Sequence, residues 1–310
     1  MQNKDLIESN NKDDYEIDLR KLFYIVNKGK KTIFSFVIFF SFLAIFYSLF
    51  LPNIYQSIAL LTPNENEESR SSALSGFSSL AGFAGIELPS SNGEGNSAKA
   101  IEKLSSLSFF EKNLLPEIFL PELMAIESWD AKTNKLYFDD DIYDESTNTW
   151  VRDFSYPQKQ IPSSQESFEV FKQKHFLITK DDESGFISLN VKHQSPFVAK
   201  KWTELIVSQI NTFYREKDKT EAEKTIEYLN EQVSKNSFSE IKQALAELLQ
   251  VQIQKLALIE ANEAYIFDYI DPPAVMEKKI GPNRTLIWLL GAIFGLIFST
   301  FMVMIRYFRS

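Results

Sequence analysis

Two long stretches without a charged residue lie near the ends of this chain of 310 residues. The first is TIFSFVIFFSFLAIFYSLFL at 32–51, and the second is TLIWLLGAIFGLIFSTFMVMI at 285–305. Twenty helical residues extend about 30 Å, which is the thickness of the hydrocarbon core of a bilayer. Because neither run has a polar stripe that could face water, the sequence predicts two transmembrane helices rather than two buried core helices.

Charge beside the two spans predicts how the chain crosses the membrane. The whole chain carries −9, residues 1–31 carry +1 and residues 306–310 carry +2, so residues 52–284 carry −12. Lys and Arg accumulate on the cytoplasmic side, so we expect both termini in the cytoplasm and the acidic middle on the opposite side. The acidic balance also argues against nucleic acid as a partner.

The spans divide the chain into five expected segments. These are a cytoplasmic segment 1–31, a first transmembrane helix 32–51, a large domain 52–284, a second transmembrane helix 285–305 and a cytoplasmic tail 306–310. The chain has no cysteine, which excludes disulfides and zinc sites built on cysteine.

Periodicity in the large domain predicts an α+β fold. Strand patterns occur at 54–63, in a hairpin at 176–196 around the turn DDESG, and at 265–273. We expect these strands to form one small mixed sheet close to the membrane. The stretch 64–97 holds five of the ten glycines and is predicted to be a loop with an apolar centre.

A helical period begins with Ser195 as the cap and Pro196 at the first helical position, and it then continues for about forty residues without Gly or Pro. Such a helix would extend about 60 Å, which exceeds the span of a compact small domain. The sequence therefore predicts long helices at about 195–262 that protrude or pack against another chain. A break near 218–222 is the alternative.

Residues with the spacing of a catalytic or metal site do not stand out. The acidic run DDDIYDE at 139–145 lacks the glycine and glutamate spacing of a calcium-binding EF-hand loop, so we interpret it as solvated surface. His175 and His193 are too few for a metal site and are interpreted as ordinary strand-end residues. The sequence therefore predicts no enzyme activity, no metal and no cofactor.

Small residues share one face in each predicted span. Gly291 and Gly295 are four residues apart, and so are Ala44 and Ser48. This small-xxx-small spacing lets the backbones of membrane helices approach closely. We expect these faces to pack together, within one subunit or between subunits.

The segment DPPAVMEKKIGPNR at 271–284 joins the last predicted strand to the second span. Pro272 and Pro273 are expected to end the strand stiffly, since proline fixes φ and removes a backbone donor. Pro282 would make the entry into the span rigid, and Arg284 would reach lipid phosphates at the interface.

The order of these segments resembles the Wzz-type chain-length determinants, a family of polysaccharide co-polymerases in bacterial inner membranes. The resemblance covers almost the whole chain, and it is carried by the opening 13–33, by LAGFAGIEL and SAKAIEKLSSLSFFEKNL, and most strongly by 226–284. Pro272, Pro273, Pro282 and Arg284 match the proline-rich motif of the family. Met276 departs from it, because many relatives have a proline there.

The resemblance implies a non-enzymatic regulator of the chain length of a lipid-linked surface polysaccharide, such as O-antigen. It further implies a ring-like homo-oligomer, for example an octamer, that projects into the periplasm and acts with a Wzy-type polymerase. One alternative is the inner-membrane subunit of a capsule or exopolysaccharide export complex. Another is a two-span sensor, which the short terminal segments make less suitable because a sensor needs an output domain.

Overall fold

The structure is a computed structural model that describes residues 28–64 and 96–309. The described residues divide into two compact units, one formed by residues 28–51 and 282–309 and the other by residues 52–64 and 96–281. The predicted segment 1–31 lies outside the described residues except for its last four. The predicted loop 64–97 lies outside them except for its ends.

The described residues form eight α-helices. Their bounds are α1 Lys30–Phe50, α2 Asn96–Leu104, α3 Leu107–Phe109, α4 Leu120–Met124, α5 Ser164–Val170, α6 Pro196–Lys235, α7 Ser239–Ala261 and α8 Arg284–Arg309. A π-helical turn, Phe110–Leu114, continues α3 and leads into a 3-10 turn, Leu115–Glu117, while a second π-helical turn, Phe171–His175, continues α5.

Eight strands accompany these helices. Their bounds are β1 Tyr55–Pro63, β2 Ile126–Asp130, β3 Lys135–Phe138, β4 Tyr143–Asp144, β5 Thr149–Trp150, β6 Phe176–Lys180, β7 Ile187–His193 and β8 Phe267–Asp271. Strands β2 and β3 pair as one short ribbon and β4 and β5 as another, and the sequence predicted neither ribbon.

Helices α1 and α8 are each long and apolar enough to cross a bilayer, with mean hydropathy values of 2.4 and 2.3. Helix α1 starts two residues before the predicted span, and α8 starts one residue before its span and continues to Arg309. The two helices run antiparallel, since Gly29 faces Val303 and Gly291 faces Ala44.

The four-stranded sheet has the order β6-β7-β1-β8. It joins the first strand, the hairpin and the last strand, as the sequence predicts, and the α+β fold is confirmed. Each pair in the sheet is antiparallel, so the expected mixed sheet is wrong. The physical reason is the connectivity: β6 and β7 form a hairpin, and both β7 and β8 run opposite to the central strand β1.

Helix α6 is continuous over 40 residues and has no break at 218–222. Its first half lies on the sheet and contributes Trp202, Ile206 and Ile210 to the main core, each of them almost fully buried. Its second half packs against α7. The sheet and the first half of α6 therefore form a base, from which the second half of α6 and α7 extend as a helical pair.

Candidate functional site: the helical arm and the proline-rich segment

We define the arm as residues 219–261, which comprise the second half of α6, the connection and α7. Just before the arm begins, Asn211, a buried residue of α6, joins this helix to the chain at the start of β8. The side-chain oxygen of Asn211 accepts hydrogen bonds from the amides of Ile266 (2.8 Å) and Phe267 (2.9 Å), and its Nδ2 donates to the carbonyl of Phe267 (2.9 Å). Leaving a buried polar group unpaired costs about 1–3 kcal/mol, so these three bonds fix where the arm leaves the base.

Two further contacts lie where the arm joins the base: one links α6 to the chain that follows α7, and the other links α6 to α7 itself. The Tyr265 hydroxyl donates to Oδ2 of Asp218 over 2.6 Å. Nζ of Lys219 lies 2.9 Å from Oε1 of Glu260 in a partly exposed ion pair. Exposed ion pairs contribute about 0–1 kcal/mol, so the buried hydrogen bonds of Asn211 contribute more to this junction.

The arm itself buries few of its own apolar side chains. Within residues 219–261, which the structure describes completely, Ala222, Leu229 and Ile259 are the buried residues. Large apolar side chains remain exposed on the arm at Tyr228, Phe238, Ile241, Ile253 and Leu258. The arm therefore presents apolar surface that its own fold leaves uncovered.

The exposed apolar side chains of α7 lie on more than one side of the helix. Ile253 and Leu258 are 51% and 57% exposed, and at 3.6 residues per turn they point about 140° apart. Leu248 and Leu256, on the side facing α6, are half-buried. Apolar surface on several sides is typical of a helix that packs between neighbours.

The proline-rich segment runs back along β1 after β8 ends at Asp271. Pro272 is exposed, whereas Pro273 is buried. Further along, Oγ of Ser57 donates to the carbonyl of Ala274 over 3.1 Å. The proline-rich segment therefore lies beside the first half of β1, just as β8 lies beside the second half.

At its far end the segment pairs with the residues just before β1. The amide of Ile280 donates to the carbonyl of Ile54 (2.8 Å), and the amide of Ile54 donates to the carbonyl of Gly281 (3.0 Å). Nζ of Lys279 donates to Oδ1 of Asn53 over 2.7 Å. The first and last residues of the unit that contains the sheet and the arm therefore lie side by side.

The four predicted motif residues do not form one cluster. Pro272 and Pro273 follow β8 at one end of the segment, while Pro282 and Arg284 stand at its other end, where Arg284 begins α8. Their shared role in coupling the domain to the span stays a prediction.

Replacing Met276 with proline is expected to leave stability unchanged or to raise the free energy of unfolding by up to about 1 kcal/mol. The Met276 side chain is 37% exposed, and among the described residues its amide donates no hydrogen bond that a proline would remove. Chemical denaturation of the full chain in detergent checks this. The matched control is Ile280→Pro, which removes the bond to Ile54 and should destabilise; a larger loss from Met276→Pro would contradict the prediction.

Small residues bring α1 and α8 together within one chain. A Cβ atom added to Gly291 would overlap the Cβ of Ala44, and one added to Gly295 would lie 3.0 Å from the Cβ of Phe40. Ser48, one turn beyond Ala44, is also buried. Gly291 and Ala44 thus meet at an intramolecular contact, and their part in assembly between subunits stays a prediction.

Replacing Gly291 and Gly295 with leucine is expected to separate α1 from α8, because the added side chains have no space. Cysteines placed at Gly29 and Val303 in this cysteine-free chain report the helix contact, since a Cβ at Gly29 would lie 3.3 Å from that of Val303. We expect the yield of this disulfide to fall about tenfold. Ile293→Leu, at an exposed position of α8, is the control; an unchanged yield in the glycine variant would contradict the packing described here.

Two buried histidines form a cluster that the sequence did not predict. The rings of His175 and His193 lie 5.6 Å apart, and both pack edge-on against Trp202 at 5.4 and 5.0 Å. They do stand at strand ends, as interpreted, but they lie in the core. The register of the hairpin would have predicted the cluster. Because Phe176 lies opposite Val191, both histidines come to the same end of adjacent strands.

A hydrogen bond assigns a neutral state to His193, and burial assigns one to His175. Nδ1 of His193 accepts from the amide of Ser195 (3.0 Å), which leaves its Nε2 to donate to the carbonyl of Glu122 (3.1 Å). Nδ1 of His175 donates to the carbonyl of Lys192 over 2.7 Å. Burial lowers the pKa of each histidine to about 4, so the cluster is uncharged at neutral pH.

Two carboxylates of the acidic run at 139–145, those of Asp139 and Asp144, accept hydrogen bonds within their own turns. Asp144 accepts hydrogen bonds from the amide and hydroxyl of Ser146 and from the hydroxyl of Thr147, and these bonds lower its pKa to about 2. Among the described residues there is no group of three or more His, Cys, Asp or Glu that could hold a metal ion.

Comparison with known proteins identifies a family for the first third of the chain. Residues 15–114 match the family model described as chain length determinant protein, Wzz. No curated protein sequence is similar to the chain at a significant level. The match confirms the resemblance to the Wzz-type co-polymerases over residues 15–114.

Two solved structures are also similar to this chain. One is described as a full-length bacterial polysaccharide co-polymerase; it shares 13% identity over 94% of this chain and 97% of its own, with a TM-score of 0.38. The other is a fragment of WzzB, a polysaccharide co-polymerase from Salmonella Typhimurium, with 12% identity over 74% of this chain and 100% of its own, and a TM-score of 0.31.

Proposed function

We propose that this chain is a non-enzymatic regulator of the chain length of a lipid-linked surface polysaccharide, of the O-antigen type. The observation that carries the proposal is the Wzz family match over residues 15–114. In this proposal the chain works beside a Wzy-type polymerase, which makes the glycosidic bonds, while the chain determines when extension stops.

The two apolar helices support a place in the bacterial inner membrane. Lys28, Lys30 and Lys31 adjoin the start of α1, and Arg306 and Arg309 end α8, so the basic ends lie at the same end of the helix pair. In the proposed orientation this end faces the cytoplasm, since Lys and Arg are retained there. The base and the arm then lie in the periplasm.

A homo-oligomer accounts for the apolar surface of the arm. Exposed apolar side chains on more than one side of α7 leave it able to contact neighbours on both flanks. In the proposed ring, arms of adjacent copies pack side by side and cover Ile253 and Leu258. Regulation then comes from the geometry of the assembly, which presents a surface of fixed size to the polysaccharide or to the polymerase.

Replacing Ile253 with aspartate is expected to dissociate the oligomer, because burying an unpaired carboxylate at a contact between arms is unfavourable. Light scattering of the full chain in detergent measures the mass of the assembly. Gln254→Asp adds the same charge at the neighbouring exposed position and serves as the control. An Ile253→Asp chain that keeps the mass of the unsubstituted chain would refute the proposed arm contact.

Deletion of the gene, followed by complementation, tests the proposed function in cells. We expect the surface polysaccharide to lose its preferred length on a gel and to recover it when the gene returns. Complete loss of surface polysaccharide would favour the export subunit instead. A length distribution that deletion leaves unchanged would reject the regulator.

A further inference from the structure

A groove lies between the ends of the two apolar helices. Lys28, Thr32 and Phe36 line it from the first helix and the residues just before it, and Met302, Arg306 and Tyr307 line it from α8. Gly29 makes this close approach possible, because a Cβ there would lie 2.5 Å from Cγ1 of Val303. A larger residue at Gly29 would push the walls of the groove apart.

Positive charge dominates the mouth of this groove. Lys28 and Arg306 are both exposed there, and Lys30, Lys31 and Arg309 stand nearby in the sequence. The described residues of this unit, 28–51 and 282–309, contain no Asp or Glu. The mouth therefore lacks an acidic partner within the described part of the unit, and an anion would complement it.

The groove changes from polar to apolar along the helix axis. Lys28 and Phe36 are eight residues apart, which corresponds to about 12 Å of helix. Thr32 and Tyr307 carry hydroxyl groups near the cations, whereas Phe36 and Met302 are apolar. A cationic mouth followed by an apolar floor matches a molecule with a charged head and a hydrocarbon tail.

We propose that this groove binds an anionic phospholipid, with its phosphate between Lys28 and Arg306 and an acyl chain along Phe36 and Met302. The inference rests on the membrane insertion proposed above. Lys and Arg donate strong, charge-assisted hydrogen bonds to phosphate oxygens, and juxtamembrane cations attract anionic lipids. A bound lipid would hold the two helix ends together from the surface of the membrane.

Titration of the purified full chain in a neutral detergent tests the site. Native mass spectrometry counts the lipid retained, with phosphatidylglycerol compared with phosphatidylcholine of the same acyl chains. The test variant combines Lys28→Gln with Arg306→Gln, and the control combines Lys30→Gln with Arg309→Gln. Both variants remove two positive charges from the same end of the helix pair, but only the first removes them from the groove.

We expect the groove variant to bind phosphatidylglycerol about tenfold more weakly, while the control variant binds like the unsubstituted chain. Equal weakening in both variants would indicate diffuse attraction and overturn the site. So would equal retention of the two lipids, or displacement of phosphatidylglycerol by inorganic phosphate alone. The two proposals can fail separately. If the lipid binds in the groove but deletion of the gene leaves polysaccharide length unchanged, the proposed function is refuted and the lipid site is retained.

Discussion

Replacing Trp202 with alanine is expected to lower the free energy of unfolding of the base by about 3–5 kcal/mol. Trp202 is completely buried and is the largest of the fully buried side chains. It packs against His175, His193 and Phe171, and it belongs to the core that joins α6 to the sheet. Its loss would leave a cavity beneath the junction from which the arm extends.

Urea denaturation of the full chain in detergent, followed by circular dichroism, measures this loss. Trp202→Phe is the matched variant, because it retains a ring and removes Nε1, which has no hydrogen-bond partner among the described residues. We expect the phenylalanine variant to lose clearly less than the alanine variant. Equal stability of the alanine variant and the unsubstituted chain would show that Trp202 is not a core residue.

Acidification is expected to destabilise the base, because both histidines must stay neutral in the fold. Their pKa values of about 4 lie below the ordinary value of 6.5, so the unfolded chain binds protons in this window that the folded chain does not. The contribution of the two neutral histidines to the free energy of unfolding is therefore complete above pH 6.5, and it is lost as the pH drops from 6.5 towards 4. A shift of this size corresponds to on the order of 3 kcal/mol per histidine.

One carboxyl group opposes this trend. Burial raises the pKa of Glu122, against the influence of nearby Lys201, so its folded form retains a proton more readily than the unfolded chain does. Because two buried histidines act in the opposite direction, we expect the net effect of acid to be destabilising. Denaturation at pH 7 and at pH 5 measures the difference.

His175→Phe isolates the contribution of one histidine. The variant keeps an aromatic ring beside Trp202 and removes one titrating group, so its stability should depend less steeply on pH. It also removes the hydrogen bond to the carbonyl of Lys192, which lowers stability at all pH values alike. A pH dependence as steep as that of the unsubstituted chain would contradict the assignment of His175 as a buried neutral group.

The sequence predicted the elements whose pattern extends over many residues. Twenty uncharged residues suffice to indicate a span, and the helical period after Pro196, which no Gly or Pro interrupts, indicates a long helix such as α6. The turn DDESG located the hairpin of β6 and β7 because turn chemistry is local. In each case the residues that determine the element also lie within it.

The features that the sequence did not predict depend on contacts between distant residues. Strands β4 and β5 have two residues each, too few for any periodicity, and they are held by pairing across a turn. The cluster of His175 and His193 follows from hairpin register and from the packing of Trp202, which no single segment encodes. The antiparallel direction of the sheet likewise depends on how β8 returns to β1.

The candidate site was predicted only in part, because it too depends on contacts between distant residues. Glycine spacing pointed to Gly291 and Ala44, but the sequence left open whether they meet within one chain. The exposed side chains of the arm could not be recognised, since Ile253 and Leu258 fit an ordinary apolar helix pattern until the position of α6 is known. Exposure is a property of the fold and has no local signature in the sequence.

Reconstitution in vesicles shows whether the chain determines polymer length. Purified full chain, a Wzy-type polymerase and the lipid-linked repeat unit are combined, and the polymer lengths are measured on a gel. We predict that the polymerase alone makes a broad distribution, that adding the chain narrows it around a preferred length, and that the chain alone makes no polymer. A distribution that the chain leaves unchanged, or polymer formed by the chain without the polymerase, would contradict its role as a non-enzymatic regulator of chain length.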